Sequence, residues 1–465
     1  MVKDVFRVFT TNMIKFFVSL IATFLIPALL TVEEYGYYKT FGLYAAYIGS
    51  LHFGYCDGLF LFYGGKNLET SDKNRMANEQ MTIIAFELLI SLIIMIIGII
   101  RKDIIIILIS LNIIPTIMIT FYTFLYQATG NFKKYAIVYN FQSFFTLIIN
   151  SLLVFVIKPE SGIVFAIVIV GVNFITFFLA LYKFNKDYKL GCGAFKFDIF
   201  KKYSLSGILL TIGTLSFILF ESIDRWFVKG LLGLTFFAYY SYATQLLSAL
   251  NMFANPIGMT LFSYLSREKN KNFEYMIKTS IISMLLFMLN GVYVLRFIVR
   301  VFFQKYEAAQ PLIIILFLAQ VFLLLNMIVY VNLYKAYLKQ RKYFLSLIAV
   351  IAVSIVLNAL FYFFIAKSMI VIAVATLFSM CVWTIINSIN FKEIKLSIKH
   401  LLFVISLMVM YLITSFFMNE LIGLIVYFTV FLFLFYFLMP DIYKLFAEKI
   451  LMFMKKGKKL LRKGA

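Results

Sequence analysis

Roughly fourteen stretches of this 465-residue chain run for about 20 residues or more with almost no charge. An α-helix needs ~20 apolar residues to cross a hydrocarbon core ~30 Å thick, so each stretch is long enough to span a bilayer. They fall at 10–31, 37–63, 79–100, 103–129, 134–157, 161–184, 202–230, 235–264, 274–303, 308–337, 343–366, 369–391, 398–418 and 421–439. With 63% hydrophobic and only 14% charged residues, little of the chain is left for a water-soluble domain. The expected fold class is an all-α polytopic membrane protein of about 14 transmembrane helices, in two pseudo-symmetric six-helix lobes plus a C-terminal helix pair.

Lys and Arg outnumber Asp and Glu by 43 to 21, for a formal charge of +22. In a soluble chain this would suggest nucleic acid. Here the excess follows topology instead, because loops on the cytoplasmic side retain Lys and Arg. Roughly 32 of the 43 lie in the N-terminus, the even-numbered loops and the C-terminal tail, all on one side. The opposite loops are short and nearly neutral, with Arg101–Lys102 and Arg300–Lys305 against the trend. Both termini are therefore expected in the cytoplasm, and nucleic acid is not an expected partner. No secretory signal is expected, since the first span is too long for a signal core and lacks a small-residue cleavage site.

Two stretches 208 residues apart resemble one another. Tyr126-Gln127-Ala128 recurs as Tyr334-Lys335-Ala336, Lys133-Lys134-Tyr135 as Arg341-Lys342-Tyr343, and Asn150 as Asn358. Tyr37-Tyr38 and Tyr239-Tyr240 give a weaker echo. An even number of spans per repeat inserts both halves in the same orientation, which is a transporter architecture. The domain reading is 1–185 for the first lobe, 186–202 for a cytoplasmic linker, 203–395 for the second lobe and 396–440 for helices 13 and 14. The remainder, 441–465, reads as a basic amphipathic tail on an anionic leaflet or as an unstructured topogenic tail.

Polar groups inside spans are costly and face protein or water, so they mark candidate sites. The first span carries Asn12, Lys15, Ser19 and Thr23 on one face, continued by Pro27. The second holds Lys39, His52 and Asp57; the seventh Thr211, Thr214, Glu221, Asp224 and Arg225; the eighth Gln245, Ser248, Asn251 and Asn255. Arg296 and Arg300 sit one turn apart in the ninth. Spans 1, 2, 7 and 8 are expected to line a hydrated cavity between the halves, with Lys15, Asp57, Asp224, Arg225 and Arg296 binding an anionic group such as a phosphate. Asp57, Glu87 and Asp224 are the candidates for coupling to a proton or sodium gradient. Each has a structural alternative: Lys15, Lys39, Arg296 and Arg300 can snorkel to headgroups, Glu221 and Arg225 can pair within their helix, and Gly54 with Gly58 can serve close helix packing.

Enzyme chemistry has little support. His52 and His400 are far apart, and Cys56, Cys192 and Cys381 form no metal-ligand or disulfide spacing. There is no GxxxxGK[ST] phosphate loop, no GxGxxG and no repeated filter-like loop, which argues against an ATP-driven pump, a dinucleotide enzyme and a channel. No cofactor is expected.

The run Leu30-Thr31-Val32-Glu33-Glu34-Tyr35-Gly36-Tyr37-Tyr38 resembles the loop after the first helix of bacterial polysaccharide-export flippases, with Thr31-Val32 where Gly-Pro is usual. Phe53-Gly54-Tyr55-Cys56-Asp57-Gly58, Glu221-Ser222-Ile223-Asp224-Arg225-Trp226-Phe227, Tyr239-Tyr240-Ser241 and Leu261-Phe262-Ser263-Tyr264-Leu265-Ser266-Arg267 are also similar to that family. The resemblance implies the superfamily of multidrug, oligosaccharidyl-lipid and polysaccharide exporters, a two-lobed fold and alternating access. It implies movement of an oligosaccharide linked to undecaprenyl pyrophosphate, an O-antigen or capsule repeat unit, across the bacterial inner (cytoplasmic) membrane. Polysaccharide polymerase and chain-length proteins would then be partners in lipopolysaccharide biosynthesis. The alternatives are a cation-coupled multidrug exporter of the same superfamily and, in a different class, a membrane-embedded polymerase or ligase, for which every outer loop is short.

Overall fold

The structure, a computed structural model, describes residues 18, 19, 21–267, 270–445 and 448. Lys15 and most of the tail expected at 441–465 lie outside the described residues. The described chain is mostly helical, and eleven of its helices are long and apolar enough to cross a membrane. The protein is a multi-pass membrane protein. In hydrocarbon every backbone N–H and C=O must be satisfied within the fold, which leaves continuous helix as the default state for such a sequence.

Cα packing divides the chain into two compact units, 1–242 and 243–465. The first contains α1 (Val32–Ala45), α2 (Tyr55–Tyr63), α3 (Lys73–Arg101), α4 (Ile104–Ala128), α5 (Phe132–Leu152), α6 (Gly162–Tyr188) and α7 (Phe197–Leu232). The division falls within α8 (Leu234–Arg267). The second unit continues with α9 (Lys271–Met288), α10 (Gly291–Phe302), α11 (Gln310–Leu325), α12 (Val331–Ala336), α13 (Gln340–Phe364), α14 (Met369–Asn390), α15 (Ile398–Phe417) and α16 (Glu420–Leu438). Helix α7, which opens the second lobe in the sequence reading, packs chiefly on α2 of the first unit.

The 208-residue echo has a structural counterpart inside each unit. Gly130 and Leu338, at matched positions, both adopt left-handed backbone, with φ of 71° and 54°. Each closes the same helix stop, in which Asn131 N–H donates to Tyr126 O (2.7 Å) and Lys339 N–H to Tyr334 O (2.8 Å). Tyr126, Tyr334, Asn150 and Asn358 are all buried. The helix before each stop is the most deeply buried span of its unit: α4 in the first, and the run Gln304–Ala336 in the second.

Two expected spans are not continuous helices: 274–303 turns at Leu289 and Asn290 between α9 and α10, and 37–63 breaks more sharply. Between α1 and α2 the chain passes through a short 3₁₀ turn, Ile48–Ser50, then turns left-handed at Phe53 (φ 47°) and Gly54 (φ 86°). The break lets α2 meet α7 backbone to backbone. A Cβ at Gly58 would overlap the Tyr203 carbonyl, and one at Gly207 would overlap Gly54 O and Gly58 N. Gly54 and Gly58 thus serve close helix packing, as small residues do in membrane interfaces. Non-helical backbone at this depth is tolerated because it is buried in protein, and His52 Nδ1 accepts the Gly54 N–H (3.1 Å).

Other junctions explain sequence features that looked like motif alone. Glu34 Oε2 accepts from the Gly162 N–H (2.7 Å) and Ser161 Oγ (3.0 Å), so it caps the N-terminus of α6. The segment before α7 is strapped to α3, with Ala194 N–H on Asn78 Oδ1 (2.7 Å) and Lys196 N–H on Thr82 Oγ1 (3.0 Å).

Gly58→Val is expected to destabilise the protein by about 3 kcal/mol or more, because the backbone contact cannot open without separating α2 from α7. Gly42→Ala, where a Cβ would meet nothing within 4 Å, is the control and should be neutral. Thermal unfolding followed by size-exclusion chromatography in detergent reads both; equal melting temperatures would refute the contact.

Candidate transport site

Helix α7 presents the densest row of polar side chains in the first unit. Near its middle, Thr211 Oγ1 donates to Asp57 Oδ2 (2.5 Å). Asp57 stands in the first turn of α2, where the helix dipole favours an anion. Thirteen residues further on, roughly 20 Å along the axis at 1.5 Å per residue, a second cluster forms. Buried Asp224 accepts Tyr240 OH on Oδ2 (2.7 Å) and its neighbour's main-chain N–H on Oδ1 (2.7 Å). Arg225 Nη2 donates to the main-chain carbonyl of Glu221 (3.0 Å), not to its carboxylate, and Arg225 Nε is buried without a hydrogen-bond partner.

Lys39, from α1, joins this second cluster. It is close enough to Arg225 for the two cations to repel each other, and its Nζ lies 5.3 Å and 5.4 Å from the ring centroids of Tyr35 and Tyr38. Ser222, Trp226 and Lys229 on the same stretch of α7 fasten it to α1 and to Tyr47 just after it. Trp226 Nε1 donates to Tyr47 OH (2.8 Å), Lys229 Nζ to Tyr44 OH (2.6 Å), and Trp226 stacks on Tyr44 at 5.3 Å. The structure therefore brings together Asp224, Arg225, Glu221 and Lys39, with Asp57 apart from them.

Arg296 belongs to a different environment, in the second unit. Its Nη2 is 3.7 Å from Glu420 Oε1, and Arg300 Nη2 is 2.9 Å from Oε2 of the same carboxylate. Glu420 opens α16, so this pair of arginines is held by the C-terminal helix pair. Two donors of Arg296, Nε and Nη1, are buried without a partner. Glu87, midway along α3, is fully buried, and neither carboxylate oxygen has a hydrogen-bond partner. Among the three coupling candidates it alone stands so, since Thr211 serves Asp57 and Tyr240 serves Asp224.

Two features escaped the sequence reading. The first joins α2, α3 and α7: buried Glu79 accepts from Arg75 Nε (2.9 Å), Tyr63 OH (2.8 Å) and Tyr203 OH. The Arg75/Glu79 spacing of four residues was visible in sequence, but the two tyrosines that complete the cluster come from elsewhere in the chain. The second is a cavity of about 700 Å³ within the second unit, between α9, α11, α14 and α15. Ile282, Leu286, Phe322, Leu325, Ile405 and Met408 make it apolar, while Lys392 and Lys395 lie at one end. Outside the spans, Glu393 beside these lysines has its carboxyl held below the usual range, by a backbone hydrogen bond and by Lys271 and Lys339.

No family model matches this chain, and no curated protein sequence matches it. Solved structures do. A structure described as the lipid II flippase MurJ in an inward closed conformation superposes with a TM-score of 0.69, covering 95% of this chain and 99% of that one at 15% identity. An inward-facing multidrug resistance MATE family transporter of the MOP superfamily gives a TM-score of 0.50, covering 82% and 94% at 11% identity. The chain shares the fold of these membrane proteins.

Tyr240→Phe removes one of the donors to Asp224. It is expected to lower stability by about 1 kcal/mol, the usual net worth of such a bond. Chemical unfolding in mixed micelles measures it, and an unchanged midpoint would show that the phenol does not support Asp224.

Proposed function

We propose that the protein is a flippase for a lipid-linked oligosaccharide, moving an undecaprenyl-pyrophosphate-linked O-antigen or capsule repeat unit across the bacterial inner membrane. The observation that carries this reading is the cavity of the second unit, apolar along its length and lysine-bearing at one end. An isoprenoid or acyl chain fits the apolar part, and the lysines suit an anionic head group. The fold likeness to a protein described as a lipid II flippase supports the same class of cargo. A polar head group meets a large desolvation barrier in hydrocarbon, and protein-borne polar and cationic groups lower it. Arg225, with a buried unpartnered Nε beside Lys39, is the group assigned to the pyrophosphate in the first unit. Lys15 and Arg296 remain assigned to the head group on the charge argument made from sequence, while Asp57 and Asp224, which would repel a phosphate, take part only as acceptors for sugar hydroxyls.

Arg225→Ala is expected to reduce translocation by roughly 10- to 100-fold, the loss of one or two charge-assisted hydrogen bonds. Fluorescent lipid-linked oligosaccharide in proteoliposomes, with protein amount matched, gives the rate; wild-type rates in the variant would remove Arg225 from the mechanism. The same assay separates the second reading. The cavity lysines repel cationic drugs, so a multidrug exporter would show drug efflux that lipid-linked cargo fails to inhibit.

Coupling is assigned to a proton carried by Glu87. A hard cation such as sodium requires a shell of oxygen ligands, whereas neither Glu87 oxygen has a polar partner among the described residues. Glu87→Gln should abolish the response of transport to an imposed pH gradient, with no compensating response to sodium. Retention of the pH response, or a sodium response in the wild type, would move coupling elsewhere.

A further inference from the structure

At the end of the first unit that carries basic loops, three cations from three segments gather on one aromatic ring. Lys66 Nζ lies 3.2 Å from the centroid of Phe62, Arg75 Cζ 4.1 Å and Lys202 Nζ 5.4 Å. Phe62 lies in the last turn of α2, Lys66 follows it, Arg75 lies in the first turn of α3 and Lys202 in the second turn of α7. Like charges do not assemble without a reason. A ring face attracts cations but leaves their charge intact, unlike a carboxylate, so a phenylalanine can concentrate positive field without neutralising it.

The carboxylate at this place is already committed. Glu79 is fully buried and takes Arg75 Nε, Tyr63 OH and Tyr203 OH. Arg75 Nη2 is held in turn by Tyr203 OH (2.8 Å), which fixes the guanidinium plane. Lys66 and Lys202 have no carboxylate partner among the described residues, and both are exposed. Three positive charges thus face one buried negative charge, on a rigid base.

The surroundings indicate where an anion would come from. Leu61 beside Phe62 is 54% exposed, and Leu209 is 76% exposed. Leu209 lies two turns beyond Lys202 on the same face of α7. An apolar strip therefore begins where the cationic cluster ends, as at the boundary between head groups and acyl chains.

We propose that Lys66, Arg75 and Lys202 around Phe62 form a binding site for the phosphate head group of a membrane lipid, separate from the cluster at Arg225. The existence of the site rests on this geometry. Its role as a first docking point for pyrophosphate-linked cargo rests on the flippase reading. Arg75 is the fixed member, and the two lysines close on the phosphate from flexible stems.

The test is equilibrium binding of the full chain in phosphatidylcholine nanodiscs, with undecaprenyl pyrophosphate and phosphatidylglycerol as separate probes, read by native mass spectrometry. The double variant Lys66→Gln with Lys202→Gln should bind about tenfold more weakly at an unchanged melting temperature, and Phe62→Leu should bind more weakly with all three charges present. Lys186→Gln with Lys189→Gln, exposed lysines ending α6, should bind as the wild type does. Preference for the isoprenoid probe assigns the site to cargo, and equal affinity assigns it to anionic phospholipid; both uphold a lipid-phosphate site. Unchanged binding in the Lys66/Lys202 variant, or an equal loss in the Lys186/Lys189 control, would overturn it. Arg225→Ala, which the flippase reading requires for transport, should leave this binding intact, so the two ideas fail separately.

Discussion

The contact on which the first unit depends is made of backbone. Gly54, Gly58 and Gly207 bring α2 and α7 so close that no side chain fits between them. In a bilayer, apolar side chains gain little by leaving lipid for protein, so association relies on close packing and on polar groups placed across the contact. The polar groups follow the contact along its length. Thr211 meets Asp57 just beyond it, and Tyr203 meets Glu79 and Arg75 just before it. The break in the chain at Phe53 and Gly54 is the geometric cost of that approach.

Partnering sorts the intramembrane charges into kinds. Asp57 and Asp224 each accept from a hydroxyl on a neighbouring segment, which satisfies them where they stand. Arg296 is tied to Glu420 and so holds the C-terminal helix pair to α10. Glu87, the Nε of Arg225, and the Nε and Nη1 of Arg296 are among the buried groups left without a hydrogen-bond partner, and an unsatisfied polar group in a low-dielectric interior is retained only against a free-energy cost. Glu87 differs from the arginines in that neither of its charged oxygens has any hydrogen-bond partner.

Much of the fold could be read from sequence because helix is what a bilayer enforces on a 20-residue apolar run. The 208-residue echo lay in Tyr126 and Tyr334, Lys134 and Lys342, and Asn150 and Asn358, whereas the left-handed stop it accompanies, at Gly130 and Leu338, has no shared residue type to announce it. The break in the second span was not legible. Gly49, Ser50, His52 and Gly54 at the break are tolerated in continuous membrane helices, and the decisive contact, with Gly207, lies some 150 positions away. The same holds for the candidate sites. Asp224 and Arg225 were found because charges in a span stand out, whereas the pairing of Arg225 with a carbonyl instead of the Glu221 carboxylate depends on its side-chain path. The cavity of the second unit had no sequence signal at all, since its apolar lining comes from four separate helices and looks like ordinary membrane-facing surface.

Both units carry the same chemical arrangement by different means. In the first, cations on the Phe62 ring adjoin the exposed leucines of α2 and α7. In the second, Lys392 and Lys395 adjoin a partly open, mainly apolar cavity. The ion pairs at these places, Arg75 with Glu79 and Lys271 with Glu393, leave Lys66 and Lys202 in the first, and Lys392 and Lys395 in the second, without a salt bridge among the described residues. A cationic end beside an apolar run thus recurs in both units, which also share a helix-stop geometry, because basic side chains and exposed apolar surface meet where spans end.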